Sequence, residues 1–575
     1  MAERQFGFEP RTIVAGEVGV AIIDERERSS LLSEVNVSGL LQEVAQFQRR
    51  LDIASTTSMN TKREELSFIS SVSAPWVGEL RALVNSGHRL APPVTITQLI
   101  REAVEFGSFT DGYDLDRRAI CALLLSISSE QNRHEGFSGD VPTPKEMRRQ
   151  HEKMSRLSAG ESMDMLLEMI PDEAAAMLFN APLKLEVVQS TTFETWFSAW
   201  PSRVTEPTLG ETPAEAFEAA TGASLVDVLR LGDIVSRQSF AGNVLFDVEQ
   251  LVAAGATEES VSFMAERMAM KPPDYRASLE VDRGRGEIRH QRYTMTQYPF
   301  LEIEDDKFLL LRHQWGLDRF IGNQLYWETL SSFEVSHSSK MAKQFSQAMD
   351  YMFEHLVGST LQRIFTGTAA VLITEPEMQA EWGTPKKTPS VCDWAILEDG
   401  RCTVIDATNH PLNFKLAQGL GDAKQYGVDV DKIFTNKKFD QLISTMDLLS
   451  NPGWKGMKHE GDCFMPLVVV PDSSVPNTRS TEIDFQRRAK PKFERFATKV
   501  YPPGVISYSD LRLLEGICEK KPVNFLSIIS RWRRLAIASF ETLQGHLDNT
   551  YPDRPLPRHI FTTSKEFKKL LTPGS

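Results

Sequence analysis

The stretch at residues 389–411, PSVCDWAILEDGRCTVIDATNHP, constrains the fold more than any other part of the sequence. Its composition predicts two short buried strands joined by a tight turn at residues 398–400, where glycine permits a positive φ. Each apolar strand carries one aspartate, Asp393 in the first and Asp406 in the second. Burial of a carboxylate is costly unless a cation binds it. Two carboxylates on adjacent strands therefore predict a site for one divalent metal ion.

The rest of the composition is that of a soluble globular protein, long enough for about two to four domains. No apolar run approaches the ~18 residues of a membrane span, and the charged N-terminus lacks the apolar segment of a signal peptide. The five cysteines are scattered without a CxxC pair, which argues against a zinc ribbon or a disulfide framework. We therefore expect a cytoplasmic protein that does not engage a membrane.

Charge is distributed unevenly between the two parts of the chain. Residues 335–575 contain 31 Lys and Arg against 27 Asp and Glu, whereas residues 1–334 contain 33 against 51. Such asymmetry indicates different partners for the two parts. The second part is electrostatically suited to a phosphate backbone, and the acidic first part to a protein partner or to self-association.

The periodicity predicts a mostly α-helical N-terminal region, a small β hairpin segment, and then an α/β domain. The hairpin is expected at residues 298–312 (YPFLEIEDDKFLLLR), with its turn at residues 304–306. The domain boundaries that follow are 1–140 and 141–334 for two helical regions, 335–545 for the α/β domain, and 546–575 for a C-terminal tail.

The order of elements in the third region is its most informative property. A long helix at residues 341–365 precedes three strands, a helix that begins near Asn413, and a further strand, which is the order α-β-β-β-α-β. The strands are expected at residues 369–374, 390–397, 401–407 and 464–470. The buried stripe of the long helix is expected to comprise Phe345, Met349, Met352, Leu356 and Ile364, with Glu354 off its centre.

A helix with Glu354, a strand with Asp393 and a strand that ends in Asp406-Ala407-Thr408 resemble the PD-(D/E)XK nuclease superfamily. The resemblance covers residues 335–545 and implies the αβββαβ core of a restriction-endonuclease-like fold. It also implies a metal-dependent phosphodiesterase that acts on nucleic acid.

The resemblance implies an Mg²⁺ (or Mn²⁺) site built from oxygen ligands, as hard cations prefer. Asp393, Asp406 and the backbone carbonyl of Ala407 would bind the ion directly, and Glu354 through a water. The sequence departs from the family at Thr408, where the usual residue is a lysine that orients the attacking water. Lys415 and Lys424, on the following helix, are the candidate substitutes, and Lys415 is favoured.

Basic residues of the same domain suit contacts to a nucleic-acid backbone without predicting sequence specificity. Those expected to bind nucleic acid are Lys386, Lys387, Lys424, Arg487, Arg488, Lys490 and Lys492.

Two functions follow from these observations. The first is an Mg²⁺-dependent nuclease, with DNA favoured as the substrate, whose appended helical region resembles that of bacterial restriction or anti-phage defence effectors. The alternative is a catalytically degenerate nuclease fold that binds nucleic acid or acts as a scaffold, which the threonine at position 408 favours.

Overall fold

The computed structural model of this chain describes residues 11–132, 141, 143–181, 183–398, 400–459 and 463–572. The chain is mostly helical and contains two small mixed sheets of four and five strands. No helix of the described residues is long and apolar enough to cross a membrane.

The first part of the chain is built mainly from helices, as predicted. These are α1 (Glu25–Ser33), α2 (Val37–Thr57), α3 (Lys62–Ser70), α4 (Val77–Asn85), α5 (Pro93–Phe106), α6 (Arg117–Gln131), α7 (Pro144–Ser155), α8 (Ala159–Asn180), α9 (Leu185–Trp196), α10 (Pro213–Thr221), α11 (Leu225–Ala241), α12 (Val248–Ala253), α13 (Glu258–Met268), α14 (Pro272–Gly284), α15 (Tyr293–Gln297), α16 (His313–Ile321) and α17 (Gln324–Ser336).

The first sheet contains the predicted hairpin and two further strands. Its members are β1 (Leu245–Asp247), β2 (Ala269–Met270), β3 (Phe300–Glu304) and β4 (Lys307–Leu310), in the order β1-β4-β3-β2. Side chains alternate across it, so Leu301 and Leu309 join one apolar core while Phe300 and Phe308 join another. The core that contains Leu301 and Leu309 also contains residues of helices α2, α5 and α6. This core therefore extends across the domain boundary expected at residue 140.

The second part carries a five-stranded sheet in the order β5-β6-β7-β8-β9. Strands β5 to β7 form an antiparallel meander, and β8 and β9 extend it in parallel to β7. The elements are α18 (Ser339–Phe365), β5 (Val371–Thr374), α19 (Glu375–Trp382), β6 (Trp394–Glu398), β7 (Arg401–Ala407), α20 (Phe414–Ala417), α21 (Ala423–Val430), α22 (Phe439–Ser450), β8 (Cys463–Val470), α23 (Arg479–Phe493), β9 (Gly504–Ser507), α24 (Tyr508–Lys520), α25 (Phe525–Ser539), α26 (Leu543–Thr550) and α27 (Arg558–Leu570).

Two details differ from the expected elements. The first of the two strands predicted within residues 389–411 is β6, which begins at Trp394, so Asp393 precedes it by one residue. Gly400, in the predicted turn, has φ +68°, while Asp399 lies outside the described residues. The helix expected from Asn413 onward is broken into α20 and α21 around Gly419, whose φ of +70° suits glycine.

Helix α18 connects the two parts through its buried stripe, which lies where the sequence predicts. Phe345 and Met349 pack in the core of the first part, and Leu356 and Ile364 pack against the second sheet. Glu354 lies on the turn at which the helix passes from one core to the other. A single helix therefore fixes the position of Glu354 relative to both parts of the chain.

The segment expected to be a tail contains a packed helix. Helix α27 lies against α9, and its Phe567 and the following residue Leu571 are buried in the core of the first part together with Phe217 and Leu229. The apolar face of α27 explains this docking, because Ile560 and Phe567 lie two turns apart on it and Leu571 follows directly after its end.

We predict that Phe567→Ala lowers the free energy of unfolding by about 3–5 kcal/mol, because it leaves a cavity in a packed core. Urea denaturation followed by circular dichroism measures the change. Phe561→Ala on the same helix is the control, since that side chain is 44% exposed, and its effect is expected within about 0.5 kcal/mol. Equal effects of the two substitutions would contradict the docking of α27.

Candidate functional site: an acidic cleft at the strand ends of the second sheet

The register of the β6–β7 hairpin brings the two predicted aspartates together. Trp394 pairs with Ile405 in antiparallel register, so the next position along places Asp393 beside Asp406. Asp393 Oδ2 accepts a hydrogen bond of 2.7 Å from the backbone N–H of Ala407. Antiparallel neighbours share a face of the sheet, which is why both carboxylates are directed to the same side.

Asp406 is fully buried and binds a lysine that the sequence did not single out. The Nζ of Lys438 donates a hydrogen bond to Asp406 Oδ1, and only 8% of the lysine side chain is exposed. The second oxygen, Oδ2, is buried and accepts no hydrogen bond from the described residues. A buried carboxylate oxygen without a donor is unusual in a folded protein, because such groups are normally satisfied.

Lys438 is positioned by a continuous helical segment that packs over the sheet. Helix α21 passes into a π-helical stretch, Asp431–Lys438, which continues directly into α22. Phe434 and Leu442, four residues on either side of Lys438, are buried against the sheet. π-helical stretches are rare and occur frequently at functional sites. The lysine occupies a position in a buried stripe that an apolar residue would ordinarily fill.

Electrostatics of the site favour an added cation. Burial raises the pKa of Asp393, and burial together with the Asp393 charge raises the pKa of Asp406, while Lys438 opposes both shifts. One lysine therefore does not compensate for two buried aspartates. A divalent ion bound to the two carboxylates would reduce this imbalance by supplying positive charge.

Glu354 approaches the same aspartates from α18 on the other side of the sheet. Burial, followed by the Asp393 charge, raises the pKa of Glu354 to about 7, and Arg203 and Lys438 act in the opposite direction. The helix comes close enough because Gly358 lies against the Trp394 ring, where a Cβ would be only 3.0 Å from the nearest ring atom. Glu354, Asp393 and Lys438 thus belong to one electrostatic cluster.

Glu354 and Asp393 open onto a cleft of about 360 Å³ that also contains two charged residues missed by the sequence reasoning. Glu375 is the first residue of α19 and directly follows the end of β5, on the same side of the sheet as the start of β6. Arg203 comes from the loop between α9 and α10 and contacts both Glu354 and Glu375. Neither residue stands in a motif, and their proximity depends on tertiary structure alone.

The expected lysine substitute lies elsewhere. Lys415 is exposed on α20, and the lysine in contact with the aspartates is Lys438 instead. Thr408 is half-buried just beyond β7, and its backbone N–H donates to the carbonyl of Val469 at 3.0 Å.

The seven basic residues expected to bind nucleic acid differ in how their charges are used. Lys386, Lys387, Lys424 and Lys490 are exposed. The three others form intramolecular ion pairs: Arg487 with Asp484, Arg488 with Asp484 and Asp431, and Lys492 with Asp440.

The two aspartates are the side chains of this site that suit a metal ion. Among the described residues, no three His, Cys, Asp or Glu side chains are grouped closely enough to bind a metal by themselves. A site here would therefore rely on Asp393, Asp406 and the backbone, with water completing the shell, as Mg²⁺ commonly accepts. The buried Oδ2 of Asp406, which accepts no hydrogen bond from the described residues, fits that donor set.

No protein-family model, curated protein or solved structure matches this chain.

We predict that Asp393→Asn stabilises the metal-free protein at pH 8. The raised pKa values of Asp393 and Asp406 mean that the folded state retains protons that the unfolded chain releases. Stability should therefore fall as pH rises from the ordinary aspartate value through the raised values. The substitution removes one of two neighbouring charges and keeps an oxygen for the Ala407 N–H.

Thermal unfolding in chelator at pH 8 and pH 4 measures this effect. The variant should melt above the wild type at pH 8, with a smaller difference at pH 4, where the carboxyl groups are protonated. Asp440→Asn, an exposed aspartate paired with Lys492, should not reproduce that pattern. A variant less stable than the wild type at pH 8 would show that the two carboxylates do not repel each other.

Proposed function

We propose that this protein is a metal-dependent nuclease that hydrolyses phosphodiester bonds of nucleic acid, with DNA as the favoured substrate. The observation that carries the proposal is the convergence of Asp393, Asp406 and Lys438 where β6 begins and β7 ends. Two carboxylates can hold a metal ion, and a lysine beside them can stabilise the negative charge that develops on a phosphate during hydrolysis. Glu354 adds a third carboxylate from the preceding helix.

The arrangement of elements supports the same proposal. From α18 onward a helix precedes β5, β6 and β7, and helices then lead to β8, with α19 inserted after β5. Apart from the inserted α19, this order resembles the αβββαβ order of the PD-(D/E)XK superfamily, and we propose that residues 335–545 form such a core. Lys438, from the helix that follows β7, would then take the role of the lysine absent at position 408.

Asp393, Asp406 and the carbonyl of Ala407 would hold Mg²⁺ or Mn²⁺, with Glu354 acting through a water. When bound, such an ion lowers the pKa of a coordinated water and offsets charge on the phosphate. The ammonium group of Lys438, hydrogen-bonded to Asp406, can orient a water and stabilise negative charge that develops during attack. Burial strengthens this contribution, because the ammonium acts in a region of low dielectric constant.

The alternative of a degenerate, non-catalytic nuclease fold depends on the absence of a lysine from the site. Lys438 supplies that cation, so we favour the enzyme. For its biological role we propose a restriction or anti-phage defence effector, by analogy with nucleases that carry an appended helical region.

We predict that Asp406→Asn and Lys438→Met each reduce cleavage by roughly 10²–10³-fold, the usual effect of removing one electrostatic contributor to a transition state. Lys415→Met should leave the rate near that of the wild type. Cleavage of plasmid and single-stranded DNA and of RNA, with Mg²⁺ or Mn²⁺, measures the effect. The Lys415 variant is the matched control, because it removes an exposed lysine from the same domain.

Metal binding provides a readout independent of cleavage. Addition of Mn²⁺ should raise the melting temperature of the wild type through mass action and should not raise that of Asp406→Asn. Cleavage that survives the Asp406 substitution would place the active site elsewhere. Equal losses in the Lys438 and Lys415 variants would remove the proposed distinction between the two lysines.

A further inference from the structure

The cleft beside Asp393 is bounded in part by the N-terminal helical region. Residues 201–203, in the loop between α9 and α10, form one wall. The opposite walls come from α18, from the junction of β5 with α19, and from the start of β6. The cleft is therefore shared between the two parts of the chain.

Arg203 is the one arginine or lysine among the described residues that line this cleft. Its Nη2 donates to Glu375 Oε2 at 2.8 Å, and its Nη1 lies 3.5 Å from Glu354 Oε2. Its guanidinium carbon lies 5.7 Å from the centre of the Tyr351 ring. These contacts hold the guanidinium at the mouth of the cleft, where 47% of the side chain remains exposed.

The charges of the cleft create a problem for an anionic substrate. Glu354, Glu375 and Asp393 all line it, so a phosphodiester that approaches Asp393 meets three carboxylates. Arg203 is the protein group available to offset that repulsion at the entrance. A guanidinium is suited to the task because its planar fork binds a phosphate through two hydrogen bonds while a carboxylate holds its other side.

We propose that Arg203 binds a backbone phosphate of the substrate, so that the N-terminal helical region completes the nuclease site. The inference rests on the proposed function and adds to it a specific contact from outside the α/β domain. In this arrangement Glu375 anchors the arginine through the 2.8 Å bond, and the longer contact to Glu354 is exchanged for the phosphate. Arg203 is thus a substrate-binding residue, while the groups around Asp406 carry the chemistry.

Equilibrium binding tests this role separately from catalysis. Anisotropy titrations of a fluorescent DNA duplex, with Ca²⁺ in place of Mg²⁺, should show about 10- to 100-fold weaker binding for Arg203→Ala. The slope of log affinity against log salt concentration should decrease by about one, as expected for one lost phosphate contact. Arg203→Lys should be intermediate, because it keeps the charge and loses the fork.

Arg237→Ala is the matched control, since Arg237 is an exposed arginine of the same region with a 2.8 Å ion pair of its own. It should leave both affinity and salt slope unchanged. In steady-state cleavage, Arg203→Ala should raise KM more than it lowers kcat. Thermal unfolding of each variant checks that the fold persists.

The outcomes separate this inference from the proposed function. Cleavage that requires Asp406, combined with unchanged affinity and salt slope in Arg203→Ala, would overturn the phosphate contact and leave the nuclease intact. A reduced kcat with unchanged binding would also overturn it, because Arg203 would then only position Glu354. Absence of any cleavage that depends on Asp406 would overturn the proposed function itself.

Discussion

The ion pair between Asp406 and Lys438 is the interaction on which the architecture of the site depends. It joins the central strand β7 to the helical segment above it, next to the apolar core on that side of the sheet. Such a pair is not an efficient source of stability, because desolvation of both charges offsets much of their attraction. Asp393 is a second buried carboxylate beside this pair, and burial raises the pKa of both aspartates while Lys438 opposes both shifts. A cost of this kind, placed where two strands and two helical layers meet, is typical of a functional site.

Helix α18 gives the site its second constraint. Its first half belongs to the core of the N-terminal region and its second half to the core beneath the second sheet. Glu354 lies between the two, beside the loop that carries Arg203. A rotation of one part relative to the other would therefore change the distance between Glu354 and Asp393, and the charged contacts in the cleft resist such a rotation.

Much of the site could be predicted from the sequence, because it depends on local pattern. The two apolar strands and the tight turn between them determine the register, and the register places Asp393 beside Asp406. Lys438 was missed because it is thirty-two residues beyond Asp406 and its helix contains a π-helical stretch, although a lysine between Phe434 and Leu442 was a usable signal. Arg203 and Glu375 could not be predicted, since packing between distant segments brings them together. The docking of α27 against the first part could not be predicted for the same reason.

The return of α27 to the N-terminal region has a consequence for how the chain reaches its native state. Phe567 and Leu571 pack with residues more than two hundred positions earlier, and α8 places Ile170 and Ala174 in the core of the second sheet. Contacts of such large sequence separation close slowly, because the entropy of a long loop is lost before the contact is gained. The two parts are interlaced in this way, so an isolated fragment of either would expose apolar surface that the other covers. Folding and the assembly of the cleft are thus expected to be a single late event.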